Sequence, residues 1–457
     1  MINKFINHSI NFEEKLNDIE YEKIKNFIKN NLIYKSKIFN ITVIGGGPAG
    51  LAAAYEAQKN IEDVILIERE EKLGGILKQC IHDGFGLVKF NKKLTGPEYA
   101  DIYIQMIKKS KVEVFLETFV LKIEKKIIEN EKIFELILVN KKNNIFKILT
   151  RSLILSTGCR ERTSKQIFLH GTRPSGIYTA GLAQYFINIQ GYLPGKNVVI
   201  LGSGDIGLIM ARRLTLEGAK VLGVYEIKDE PSGLTRNIVQ CLNDYNIPLY
   251  LRTTIKEVHG KERINGVTIV KVDENLNPIS GTEQFIPCDT LILSVGLIPE
   301  NDIIDSLNIK ISNETKGPIV NQTLMTDEEG VFSCGNSLHV NDLVDYVSES
   351  AEIAGFWATN YIKNKSNFKK EEIEVKFDNN ILYVVPQKID LTKLGKFPLF
   401  FRSKYTFKNK TLKIFDNIGN EIYTKKYISL RPPEMEKIEI DINRLNKNIK
   451  SISLSLN

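Results

Sequence analysis

Two glycine-rich runs carry the most legible chemistry in this chain: ITVIGGGPAGLAAA from Ile41 and VVILGSGDIGLIMA from Val198. Each joins an apolar run suited to a buried strand to G-x-G-x-x-G and then to a helix-forming stretch. Gly45 and Gly202 permit the tight strand-to-helix turn, Gly47 and Gly204 let a pyrophosphate approach bare backbone, and Gly50 and Gly207 let helix pack closely on strand. Pro48 and Ala49 in the first turn, and Asp205 and Ile206 in the second, open a helix whose free N–H groups can face phosphates. An acid ends the next apolar strand in both cases, Glu68 after VILI and Glu226 after VLGVY, where a carboxylate can accept hydrogen bonds from a ribose diol. The pattern predicts two dinucleotide sites.

Side chains able to react are fewer. Cys80, in GGILKQCIHDGFG, follows Gly74 and Gly75. It is a candidate one-cysteine redox centre cycling through sulfenic acid, with Lys78 or His82 as neighbours able to lower its pKa. The alternative is a thiol that only lines the cofactor pocket. His82 and His339 fall in loops at the same end, where each can move a proton or serve as a structural hydrogen-bonder. Cys159, Cys241, Cys288 and Cys334 lie in or beside apolar segments and read as core thiols. Five widely spread cysteines without a C-x-x-C pair predict neither a zinc site nor a local dithiol, and no other metal site is expected. Glu349 and Glu352 read as a solvated helix face.

The elements that must position these groups divide the 457 residues into several domains, and 42% apolar residues suffice for full cores. Residues 1–37 precede the first strand, with apolar positions from Phe12 to Leu32 at near-helical spacing: an amphipathic helix docked on its own domain or on a partner. Residues 71–86 read as a loop near the first nucleotide, Thr95 as a helix cap, and 112–150 as strands with a charged hairpin. RSLILSTGCRER and LILSVGLIPEN, each a buried strand ending at a glycine (Gly158 and Gly296), flank the second fingerprint. The expected fold is therefore α/β, with two Rossmann-like domains, the second inserted in the first. The first domain covers 38–160 and 290–365, the inserted one 161–289, and a small all-β domain 366–457. Lys and Arg exceed Asp and Glu by 62 to 55 without a basic block, which argues against nucleic-acid binding. No apolar stretch reaches the roughly 20 residues that span a bilayer, and the N-terminus lacks a signal-peptide core, so a cytoplasmic protein is expected.

This order of segments over about 38–365 resembles the two-dinucleotide-binding-domain flavoproteins, the class of thioredoxin reductase and the disulfide reductases. The resemblance implies FAD at the first fingerprint, with Gly45, Gly47 and Gly50 at the pyrophosphate and Glu68 at the ribose. Thr157 and Gly158 match the strand end beside that cofactor, and Gly335-Asn336 matches a turn that usually reads Gly-Asp. The second fingerprint is implied to hold the nicotinamide dinucleotide. Glu226 favours NAD, because a carboxylate facing a 2′-phosphate at about 4 Å costs on the order of 1 to 4 kcal/mol. The family's paired cysteines are missing: IYTAGLAQ has none, and GGILKQC supplies only Cys80.

More narrowly, GGILKQCIHDGFG, STGCRERT, GTRPSGIYTAGLAQ and CGNSLHVNDLVDYVSESAEIAG, with YVVPQ and RPPEM in the tail, resemble one subgroup. It comprises the FAD/NAD subunits found beside flavin-dependent glycerol-3-phosphate dehydrogenases, and is similar to the A subunits of opine oxidase and hydrogen cyanide synthase and to part of the sarcosine oxidase alpha subunit. That resemblance implies electron transfer between NAD(H) and a partner flavoprotein dehydrogenase within a homo- or hetero-oligomer, with the β tail and the 12–33 helix as docking surfaces. A stand-alone NADH oxidase or peroxidase using Cys80, and a non-catalytic flavin-bearing scaffold, are the rival expectations.

Overall fold

The computed structural model describes residues 33–365, 369–445 and 449–457. The amphipathic helix expected from Phe12 to Leu32 lies outside them.

The first nucleotide-binding domain is built on a seven-stranded sheet. Glu113–Phe115, Val64–Ile67, Ile33–Ile44 and Asn144–Leu155 run parallel, and Glu131–Asn140 and Phe119–Ile128 extend the sheet as an antiparallel pair. Val331–Ser333 adds in parallel to the end of Asn144–Leu155 and ties the late piece of chain to the early one. Strand order reverses at Ile33–Ile44, and ligands of open α/β sheets bind at such a reversal, beyond the strands' carboxyl ends. Gly45 lies there. The helices Pro48–Gln58 and Val344–Lys363 cover one face. They cross so closely that a Cβ on Gly355 would sit 2.5 Å from the Ala53 carbonyl oxygen. The Thr95 cap is present as a full capping box with Glu98, opening the helix Gly96–Lys108.

The inserted domain has a five-stranded parallel sheet, in order Ile177–Thr179, Thr290–Leu293, Asn197–Leu201, Lys220–Tyr225 and Leu249–Tyr250. Its strands are buried on both faces. Val198 and Ile200 pack with Leu208, Ala211 and Leu214 of the helix Asp205–Leu216. Val199 and Leu201 pack on the other side with Ile255, Val258 and Val267 of an antiparallel layer. The chain crosses between the two domains twice, and the crossings pair as an antiparallel ribbon, Cys159–Glu161 with Leu297–Pro299.

The tail is a two-sheet β sandwich, in orders Lys388–Asp390, Glu372–Phe377, Ser451–Leu456, Phe407–Asp416, Glu421–Leu430 and Ile381–Val385, Lys396–Ser403, Met435–Asp441. Along Ile381–Val385 the two-residue period puts Val384 in the sandwich core, while Tyr383 and Val385 enter the core of the first domain. The tail is thus continuous with the first domain's interior. Glu349 and Glu352, read as a solvated face, are half-buried and paired: Glu349 pairs with Lys437 of the tail, and Glu352 with Lys89 and the Tyr103 hydroxyl.

Candidate functional site: two nucleotide turns and the seam between them

In the first turn the fingerprint glycines answer to different neighbours. Gly45 has φ +106°, and a Cβ there would lie 2.4 Å from the Ser156 carbonyl oxygen; one on Gly50 would lie 1.7 Å from the Gly45 carbonyl oxygen. The protein itself forbids side chains at these two positions. A Cβ on Gly47 would meet only Gly75 Cα, at 3.9 Å, and one on Gly158 would meet nothing within 4 Å. Bare backbone at Gly47 is therefore a cradle that a side chain would fill, as a pyrophosphate site requires. The helix above it starts at Pro48 with Gly47 as an N-cap that makes no side-chain bond, so its first N–H groups have no cap to satisfy them.

Other predicted residues converge here. Gly74 N–H donates to the Gly46 carbonyl, Gly335 approaches Ala49, and the Asn336 amide donates to the Cys159 sulfur at 3.6 Å. Thr157 is turned away: its hydroxyl donates to the Glu300 carbonyl at 2.5 Å. Asn336 Oδ1 accepts from the backbone N–H and the side-chain amide of Asn341.

The two acids are held in the same way. Glu68, buried, accepts from the Gly46 N–H at 2.6 Å and from the Glu70 N–H at 2.8 Å. Glu226, also buried, accepts from the Ser203 N–H at 3.0 Å and the Lys228 N–H at 3.1 Å, and from the Ser203 hydroxyl at 2.5 Å. In each, the middle residue of G-x-G and the residue two past the acid fix the carboxylate. A carboxylate offers about four acceptor sites, so each retains capacity for ribose hydroxyls. Gly202 and Gly207 are again demanded by the protein, with a Cβ 2.2 Å from the Ser294 carbonyl oxygen and 2.6 Å from Ser294 Cβ. Asp205 opens the second helix, and its Oδ1 accepts from the Leu234 N–H and the Asn237 amide. Ile206 packs on the inserted domain's core, and Gly296, at φ +105°, accepts through its carbonyl from the Arg162 N–H.

Cys80 lies on the seam between the two domains. It is buried, and loss of water around the thiol pushes its pKa up to about 12. Its sulfur approaches the Ile76 carbonyl at 3.4 Å and Gln184 Oε1 at 3.8 Å. Neither expected activator reaches it. Lys78 Nζ donates to the Lys72 carbonyl, and the His82 ring packs on Phe85 and bonds the Asp83 carbonyl. Burial holds the His82 pKa below the usual histidine range. His339 is fully enclosed between Tyr383 and Phe400 of the tail; burial, aided by the Arg402 charge, pushes its pKa down to about 3, and its Nδ1 has no partner. It is a neutral wedge between domains. Cys241, Cys288 and Cys334 are buried, whereas Cys159 is half-buried.

Two polar groups have no role assigned from the sequence. Gln184 and Gln79 join the domains, the Gln79 amide donating to the Gly181 carbonyl and to Gln184 Oε1. Arg402, largely buried, pairs with Asp342 and donates to the Tyr383 hydroxyl at 2.7 Å and the carbonyls of Pro432 and Pro433. Among the described residues no cluster of three or more His, Cys, Asp or Glu could hold a metal, and no helix is long and apolar enough to cross a membrane.

A family model described as pyridine nucleotide-disulphide oxidoreductase matches residues 39–355. The chain is 24% identical over 287 residues to hydrogen cyanide synthase subunit HcnB of Pseudomonas protegens, covering 59% of each. It is 22% identical to the A subunit of the opine oxidase of Agrobacterium tumefaciens, covering 70% of this chain and 64% of that one. It thus spans about three fifths of these two relatives, and the cyanide synthase match is to HcnB, where the A component was expected. A ferredoxin–NADP reductase of Leuconostoc citreum is 25% identical, covering 68% of this chain and 87% of that one. The fold is similar to that of thioredoxin reductase from T. acidophilum, with a TM-score of 0.57, 20% identity, and coverage of 72% and 99% of the two chains.

Proposed function

Since the chain belongs to the pyridine nucleotide-disulphide oxidoreductase family, whose members are FAD- and NAD(P)-dependent, we propose that it carries electrons between NAD(H) and a partner flavoprotein that handles the organic substrate. Bound FAD and nicotinamide supply the two-electron chemistry; the chain's part is binding, orientation and exclusion of water. Gly45, Gly47, Gly50, Glu68 and the Gly335-Asn336 turn would hold FAD. Gly202, Gly204, Gly207 and Glu226 would hold the nicotinamide dinucleotide, the latter facing a ribose and not a 2′-phosphate. The NAD preference departs from the NADP in the names of the ferredoxin–NADP reductase relatives and rests on Glu226 alone.

One observation carries the relay reading: all five cysteines are free thiols, and Cys80, on the seam, is buried with its pKa pushed up. No disulfide pairs Cys80 with another of them, and a sulfenic-acid cycle lacks a thiolate at neutral pH. Electrons therefore leave by way of another protein. Twenty residues without a charge, Gly176 to Gly195, expose Leu182, Tyr185 and Ile189 along one helical stripe, next to the face that meets Gln79. Such a stripe suits protein association. The test is turnover by the purified chain. With NADH it should reduce an artificial dye, yet leave glycerol 3-phosphate, sarcosine and opines untouched until a partner is added. Oxidation of any of these by the single chain would defeat the reading.

A further inference from the structure

We infer that the tail loop 431–435 is a strut that positions the second nucleotide site, with Arg431 and Thr406 as positioning residues for the dinucleotide; this rests on that site being the nicotinamide site. The loop's base is fixed to the first domain. Asp342 pairs with Arg402 and accepts the Met435 N–H at 2.6 Å, while Arg402 holds the Pro432 and Pro433 carbonyls at 3.2 and 2.5 Å. A guanidinium satisfying several carbonyls and a carboxylate at once gives the loop one geometry.

Two contacts reach the inserted domain, one from this loop and one from the turn that follows Lys396–Ser403, the strand that carries Arg402. Arg431 donates to the Thr235 hydroxyl, and the Thr406 hydroxyl donates to Glu230 at 2.5 Å. Both land on the segment that follows the ribose acid Glu226. The inner side of that segment lies directly on the second phosphate turn. A Cβ on Gly233 would be 2.8 Å from the Ser203 carbonyl oxygen, the Ser232 N–H donates to the Ser203 hydroxyl at 2.8 Å, and Leu234 and Asn237 donate to Asp205. Ser203 and Asp205 are the residues between and after the glycines that would meet the pyrophosphate, and Ser203 also holds Glu226. The tail thus braces the outer side of a cover whose inner side fixes both the phosphate turn and the ribose acid. Between Tyr225 and Thr235 the segment has no helix or strand of its own. Arg252 holds its start through the Lys228 carbonyl and Asp229, and these two sets of contacts hold the rest; releasing one set raises the entropy lost on binding.

The experiment uses the full chain loaded with FAD and measures NAD+ and ADP-ribose binding by calorimetry, alongside NADH-dependent dye reduction. Arg431→Ala and Thr235→Val, which remove one contact from opposite sides, should each raise the Kd for both ligands and the KM for NADH about three- to tenfold. FAD content and kcat should stay within twofold, and the double variant should be no worse than either single one. Arg431→Lys should recover part of the loss. Unchanged affinities in both variants, with the unaltered protein binding NAD+, would overturn the strut. Failure of the unaltered protein to bind either ligand would overturn the site assignment beneath it.

Discussion

Cys80 and Gln184 meet across the domain seam, sulfur to amide oxygen, at 3.8 Å. A thiol in that position is a hydrogen-bond donor with its pKa near 12, and no cation touches it. Cys80→Ser keeps the donor, so NADH-dependent dye reduction should stay within about twofold. Alkylation of Cys80 by iodoacetamide at pH 8 should be at least tenfold slower in the folded than in the unfolded protein, since only the thiolate reacts. Rapid labelling, with loss of dye reduction, would make Cys80 a redox centre.

Gly47 and Gly50 should part company when each is changed to alanine. At Gly50 the new methyl overlaps the Gly45 carbonyl, so Gly50→Ala should lower stability by about 3 kcal/mol or prevent folding. At Gly47 the methyl meets almost nothing in the protein, so Gly47→Ala should keep its melting temperature as apoprotein yet lose FAD on gel filtration. Full FAD retention in Gly47→Ala would mean that the cradle is not the pyrophosphate site.

Glu226 sets the choice of nicotinamide. NADH should be used at least tenfold more efficiently than NADPH, about 1.4 kcal/mol. Glu226→Ser with Ile227→Arg should narrow that ratio, although the Ser203 and Lys228 N–H groups lose their acceptor. Equal use of both by the unaltered protein would show that the acid does not face the ribose.

The buried His339 links stability to pH. Its folded pKa, about 3, lies below the roughly 6.5 of an unfolded histidine, so the unfolded chain takes up the proton first. The contribution is full above about pH 6.5 and is lost progressively as pH falls from there towards 3. At pH 4.5 the loss is on the order of 2 kcal/mol. His339→Phe should flatten this part of the profile, measured by urea unfolding between pH 7 and 4.5. An unaltered slope would place the acid sensitivity elsewhere.

The parts legible in the sequence were those whose physics is local. G-x-G-x-x-G with a strand-end acid fixes a turn and its partner within one βα unit, and Thr95-x-x-Glu98 closes its own capping box. Residues whose environment is made by distant chain were not legible. Glu349 and Glu352 carry helical spacing but find Lys437 and Lys89, and His339 sits beside a Gly-Asn turn but is enclosed by Tyr383 and Phe400. Arg402 belongs to no motif, and the motif around Asp342 gives no sign of its partner, because an ion pair joining two domains leaves no periodic trace.

The relay reading is tested most directly by anaerobic titration of the FAD-loaded protein with NADH, followed by absorbance. One equivalent of NADH should bleach the flavin completely, with Cys80→Ser giving the same endpoint. A need for two equivalents per flavin would reveal a further two-electron centre in the chain, and no bleaching at all would show that nicotinamide does not reduce this flavin; either result contradicts the relay.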